Sequence, residues 1–176
     1  YEKEENKKIM VAAAEIELIG INEKEYILKK AVDEIKDQYD FIIIDCPPSL
    51  NALTINALTT ADSVLVPIQC EYFALEGLSQ LMYTVKLVKQ HLNENIDIEG
   101  VVLTMKDNRS NLGQQVAADI TQYFGRKVYK TIIPRNVRLA EAPSFGMPVI
   151  QYDPKSTGAI AYMDFADEFL SNEEGK

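Results

Sequence analysis

The stretch Phe41–Ser49 reads FIIIDCPPS. An apolar run that ends in an aspartate has the form of a Walker B element, with Asp45 at the carboxyl edge of a strand. Such a group suits one task well. A magnesium ion bound to phosphates keeps several waters, and a carboxylate fixed at a strand tip can hold one of them. The plainer reading is an aspartate that caps the helix to follow, because an apolar run plus Asp closes many strands. Pro47 and Pro48 favour the first reading, since two prolines stop a ladder and stiffen the turn beyond it.

Other reactive side chains are few. Cys46, Cys70 and His91 are too few for any zinc-site spacing. The cysteines read as free thiols and small packing residues rather than a disulfide, and His91 falls on the polar side or end of a helix. Charge is more informative. Lys106, Arg109, Arg126, Lys127, Lys130, Arg135 and Arg138 face only Asp107 and Asp119, a local balance of +5 in a chain of net charge −9. That window is either a basic face on an acidic protein or a set of solvated surface charges, and charge alone favours the second.

The elements that must position these groups alternate. Glu23–Gln38 carries Leu28, Ala31, Val32 and Ile35 at helical spacing. Phe41–Ile44 is continuously apolar, as in a parallel strand covered on both faces. Asn51–Thr60 reads as a short helix, Ser63–Ile68 as a strand and Ala74–Leu92 as a long helix. Ile98–Thr104 is a third strand, followed by a polar loop over Met105–Ser110. Asn111–Phe124 is a helix and Val128–Ile133 a strand ending at Pro134. Asn136–Ala142 is a short helix stopped by Pro143, and Thr157–Leu170 is the last helix. Hydrophobic strands separated by helices indicate an α/β fold with an open, mainly parallel sheet and helices on both faces. Ligands of such sheets sit beyond the strands' carboxyl ends. That points to the loops Asp45–Asn51, Met105–Ser110 and Pro134–Glu141.

With 176 residues, 47% of them hydrophobic, and no internal repeat, the chain is expected to form a single domain over 1–176. Tyr1–Lys8 reads as a polar leader and 171–176 as a disordered tail. No run approaches the ~20 apolar residues of a membrane span, and Tyr1 opens nothing like a secretion signal. The absence of an initial Met suggests a longer protein.

Long blocks then carry a family likeness. Tyr39–Leu81 (YDFIIIDCPPSLNALTINALTTADSVLVPIQCEYFALEGLSQL), Ile98–Gly113 (IEGVVLTMKDNRSNLG), Lys127–Ala159 (KVYKTIIPRNVRLAEAPSFGMPVIQYDPKSTGA) and Ala14–Leu18 (AEIEL) together resemble the ParA/Soj branch of the deviant-Walker P-loop ATPases. The resemblance implies a P-loop NTPase-like sheet, incomplete at its N-terminal strand and helix, in a cytoplasmic, nucleoid-associated partitioning ATPase. It assigns Asp45 to catalysis and to magnesium through water, with Cys46–Ser49 as the switch loop. Thr104, Met105, Pro134 and Arg135 would border the adenine, and Arg109 and Arg138 would bind DNA without regard to sequence. The implied partners are a second copy in an ATP-dependent dimer, a ParB-type protein and nonspecific DNA, with no membrane. Glu71–Glu76 and Val137–Pro143 would lie near the second subunit. Both arginines fall inside the basic window, which strengthens the case for a real basic face. Arginine suits phosphate because its contacts are charge-assisted and release counterions.

The sequence departs from that family in its phosphate grip. No glycine here opens a GK[ST] loop, which would cradle phosphates through backbone N–H groups, and the family's second aspartate is missing as well. The intact protein is therefore expected to use Mg-ATP, and residues 1–176 alone to bind none and to turn over none. A non-catalytic DNA- or partner-binding module is the alternative. A MinD-like division-site ATPase is disfavoured by the acidic ending AYMDFADEFLSNEEGK, where a basic amphipathic helix would be needed. The junction Val11-Ala12-Ala13 is also unusually short for the family, between a strand matching Lys8–Val11 and the AEIEL helix.

Overall fold

The structure is a computed structural model that describes residues 9–13, 24–46, 51–107 and 109–174. Its strands are β1 (Ile9–Ala13), β2 (Phe41–Asp45), β3 (Ser63–Gln69), β4 (Asp97–Lys106) and β5 (Val128–Pro134). Its helices are α1 (Ile27–Asp33), α2 (Ala52–Thr60), α3 (Ala74–His91), α4 (Asn111–Phe124), α5 (Val137–Glu141), α6 (Val149–Tyr152) and α7 (Thr157–Glu174). The α/β alternation is as expected. β1 pairs with β2, and β4 with β5, in parallel. The strands form two sheets, β1-β2 and β3-β4-β5. The chain folds as two compact units, one built from residues up to Val64 with Gln80–Asp97, the other from Leu65–Ser79 with Ile98 onward.

In the first unit, Ala57, Leu58, Val85, Val88 and Ile96 are buried. A buried asparagine organises this core. Asn56 Nδ2 donates to the carbonyls of Lys24 and Ala52, and its Oδ1 accepts from the Leu28 backbone N–H. Asn93 does similar work, donating to the Leu58 and Ala61 carbonyls at 3.0 and 2.8 Å. Each amide satisfies carbonyls at a chain reversal, where an orphaned group would cost about 1–3 kcal/mol. These contacts also account for one departure from the sequence pattern. Glu23–Gln38 is not one helix: a 3-10 turn over Lys24–Tyr26 precedes α1, and another over Lys36–Gln38 follows it. Asn56 and the Tyr26 hydroxyl, which donates to the Leu92 carbonyl, hold the first turn in place.

The second unit centres on β4, whose residues Gly100–Leu103 are all buried. α7 lies on β5, packing Ala161, Phe165 and Phe169 against Val102, Tyr129 and Ile133. The rings of Tyr129 and Phe165 meet edge to face with centroids 4.9 Å apart. Gly100 makes this fit, because a Cβ there would run into the Tyr129 ring.

The β4–β5 ladder is irregular in two places. Pairing passes from Val101↔Val128 to Leu103↔Ile132, so β5 carries extra residues around Tyr129–Thr131. It then passes from Leu103↔Ile132 to Lys106↔Pro134, where β4 carries the extra residue. The first bulge releases backbone donors, and Glu168 of α7 takes them: its two carboxylate oxygens accept from the Lys130 and Thr131 N–H groups, each at 2.8 Å. The second bulge coincides with Met105 at φ 56°, the left-handed region that a side chain of this size rarely enters. β4 thus continues to Lys106, through residues the sequence assigned to a loop.

Other boundaries follow capping chemistry. Asn51, Ser110 and Asn136 each accept from backbone N–H groups at the starts of α2, α4 and α5. α4 spans Asn111–Phe124 as expected. α5 stops at Glu141 in a 3-10 turn over Ala142–Phe145; α6 has no counterpart in the sequence reading, and α7 runs past Leu170 to Glu174. β1 runs on through Ala12 and Ala13, past the strand expected at Lys8–Val11, and the AEIEL segment lies outside the described residues.

Candidate functional site

Asp45 is the last residue of β2, in register with Ala13 of β1, and its side chain is exposed. The apolar run before it is less covered than its composition suggested. Ile43 is 52% exposed, which corrects the expectation of a strand sealed on both faces. Cys46 is exposed as well, its Sγ lying 3.8 Å from the Ile44 carbonyl, so it is not the packing residue expected; Cys70 is buried and fits that role. Of the switch segment, residues 47–50 lie outside the described residues.

The four residues assigned to the adenine rim belong to the second unit and come together at the ends of β4 and β5. Lys106 pairs in register with Pro134, the Arg135 N–H donates to the Lys106 carbonyl, and the Cys70 N–H donates to the Thr104 carbonyl. Thr104, Met105 and Pro134 are half-buried, and Arg135 is exposed. The Arg135 guanidinium donates to Glu71 Oε1 at 2.6 Å. Three consecutive strands of the sheet are therefore tied at one end, through backbone groups and one ion pair. Glu71, which neither periodicity nor charge clustering marked, holds the outermost tie.

Arg109 and Arg138, the two arginines of the basic window assigned to DNA, have different surroundings. Arg109 follows Asp107 in a tight turn: its backbone N–H donates to Asp107 Oδ1 at 2.9 Å, while its side chain is 93% exposed and meets the same oxygen only at 3.5 Å. The Arg109 N–H, with its guanidinium adding to the effect, holds the Asp107 carboxyl below its ordinary range. Arg138, in the first turn of α5, is bound twice, through Nη1 to Glu141 Oε2 at 2.8 Å and through Nε to Asp153 Oδ2 at 3.3 Å. The Tyr152 hydroxyl donates to the same Glu141 oxygen. Hydrogen bonding raises the Arg138 pKa and lowers that of Glu141. His91 ends α3, exposed, as its sequence position implied.

No group of three or more His, Cys, Asp or Glu side chains that could hold a metal occurs among the described residues. One exposed carboxylate at a strand tip matches the donor set of a magnesium ion held mainly by phosphate and water. No helix of the described residues is long and apolar enough to cross a membrane.

Comparison with known proteins settles the lineage. A family model described as an AAA domain matches residues 6–98. The sporulation initiation inhibitor protein Soj of Bacillus subtilis is 60% identical over 164 residues, 93% of this chain and 65% of that protein. The chain belongs to the ParA/Soj-type partitioning ATPase family. The chromosome partitioning protein ParA of Myxococcus xanthus is 50% identical over 94% of this chain and 59% of its own length. This ParA/Soj-type chain thus spans about six-tenths of the curated relatives it matches. Among solved structures, cobyrinic acid a,c-diamide synthase of Mycobacterium smegmatis with bound ADP and magnesium superposes with a TM-score of 0.73 at 35% identity, over 90% of this chain and 58% of that one. The ParA/Soj-type fold therefore extends to a relative crystallised with nucleotide and metal.

Proposed function

We propose that the protein to which this chain belongs hydrolyses ATP to drive chromosome or plasmid partitioning, as a cytoplasmic, nucleoid-associated dimer. In this reading ATP binding assembles the dimer, the dimer binds DNA irrespective of sequence, and a ParB-type partner stimulates hydrolysis and release. What supports it above all is an exposed carboxylate at the tip of a parallel strand, in a chain 60% identical to Soj over 93% of its length.

Within that reading each residue has a task. Asp45 holds a water of the magnesium ion, fixing it by its place at a strand end. Magnesium, when bound, neutralises charge that builds on the transferring phosphoryl group. Thr104, Met105, Pro134 and Arg135 form the base-side wall, kept in place by the ties among the ends of β3, β4 and β5 and by the Glu71 ion pair. Arg109 and Arg138 contact DNA phosphates.

Positioning and charge neutralisation supply nearly all of phosphoryl-transfer catalysis. Asp45→Ala in the full-length protein should therefore lower the DNA- and ParB-stimulated ATPase rate by about a hundredfold or more, with the folded structure intact. Wild-type turnover in that variant would refute the role of Asp45. Retained DNA binding in a wild-type protein that shows no turnover at all would favour a non-catalytic binding module instead.

A further inference from the structure

We propose that Glu141 and Asp153 form an intramolecular clamp that competes with nucleic-acid phosphate for Arg138, so that DNA binding at this point requires the clamp to open. The inference rests on the reading of Arg138 as a DNA contact and adds to it a built-in competitor.

The geometry is specific. Asn136 caps α5 by accepting from the Arg138 and Leu139 N–H groups, which places Arg138 in the first turn. Asn136 also donates to the Thr157 hydroxyl at 2.8 Å, tying that cap to the start of α7. On the side-chain side, Glu141 one turn along takes Nη1, and Asp153, just beyond α6, takes Nε. Tyr152 fixes Glu141 by donating to the oxygen Arg138 uses, and its ring stacks on Phe145 with centroids 5.0 Å apart. Glu141 is therefore held by a second contact and does not merely follow the arginine, while Asp153 is placed by the end of α6, where its backbone N–H donates to the Val149 carbonyl.

Electrostatics sets the consequence. Two carboxylates against one guanidinium leave this cluster with a local charge of −1, so a phosphate meets repulsion before it meets Arg138. The guanidinium fork that would grip a phosphate in bidentate fashion is already occupied on two of its nitrogens. Arg109, at 93% side-chain exposure, is restrained less, by one carboxylate oxygen of Asp107 at 3.5 Å. Of the two arginines read as DNA contacts, one is thus more open and the other closed. Exposed ion pairs are individually weak, which makes the clamp reversible at modest cost.

The test is DNA affinity of the full-length protein with magnesium-ATP, titrated with salt on a random-sequence duplex. Glu141→Gln and Asp153→Asn should each tighten binding about two- to fivefold. The double variant should steepen the slope of log K against log salt by about 0.9, the signature of one more phosphate contact. In an Arg138→Ala background the same neutral substitutions should have no effect. If they tighten binding equally there, the gain is a general loss of negative charge and the clamp is overturned. If they do nothing while Arg138→Ala still weakens binding, the clamp fails and the DNA role of Arg138 stands. If Arg138→Ala is itself without effect, the DNA role fails and the clamp fails with it. Circular dichroism and thermal unfolding of each variant keep a loss of folding from being mistaken for any of these outcomes.

Discussion

β2 and β4 are written in nearly the same alphabet and meet different fates. FIIID and IEGVVLTM are both apolar runs suited to a parallel sheet. β4 lies between β3 and β5 and buries Gly100 through Leu103, whereas β2 has β1 as its one ladder partner among the described strands and leaves Ile43 half exposed. An apolar run states what a strand is able to bury. Its neighbours decide what it does bury, and so how much each side chain contributes to stability.

Matched substitutions test that difference most directly. Ile98→Ala on β4, where the side chain is 6% exposed, should lower unfolding free energy by about 2–5 kcal/mol. Ile43→Ala on β2 should cost less than about 1 kcal/mol, since little burial is lost. Urea titration of both variants decides the matter. Equal losses would break the comparison.

A subtler probe sharpens the picture on β4 itself. Gly100→Ala places a methyl group against the Tyr129 ring and 3.0 Å from the Lys127 carbonyl, so the bulged stretch of β5 must shift. The expected cost is about 1–3 kcal/mol by chemical denaturation. A neutral result would show that the β4–β5 contact is looser than the buried core around it.

A modest effect concerns Glu168 and carries a pH signature. Burial alone would raise its pKa, but the hydrogen bonds from Lys130 and Thr131 outweigh it and the carboxyl titrates below its ordinary range. A group whose folded pKa is depressed contributes stability above its unfolded value, near 4.3, and loses it as the pH falls through the folded value. Glu168→Gln should cost about 1 kcal/mol at neutral pH and flatten that acid limb. Unchanged acid unfolding in the variant would remove Glu168 from the account.

How far all this was legible in the sequence depended on where the deciding contact lay. α2, α4 and α5 begin within one residue of the starts expected at Asn51, Asn111 and Asn136, and their caps Asn51, Ser110 and Asn136 are neighbours in the chain of the helices they start. The break in the helix expected over Glu23–Gln38 was not readable, since Asn56 and Leu92, which fix its first turn, lie far along the chain. Nor were the two bulges, whose cause is the fit between strands. The candidate site divides the same way. Asp45 and the cations of the basic window stand out locally, whereas Glu71 meets Arg135 across 64 positions and Asp153 reaches Arg138 from beyond α6. Residue type marked the charges. Only the fold could say which of them already had partners.

The carboxylate of Glu168 has one further effect. Among the described strands β5 borders its sheet, and a bordering strand with free N–H groups invites another chain to add to it. At Lys130 and Thr131 those groups are already taken by Glu168 of α7. A second strand approaching that border finds those two donors occupied, so the contact that satisfies one irregular turn of backbone also blocks strand addition at that point.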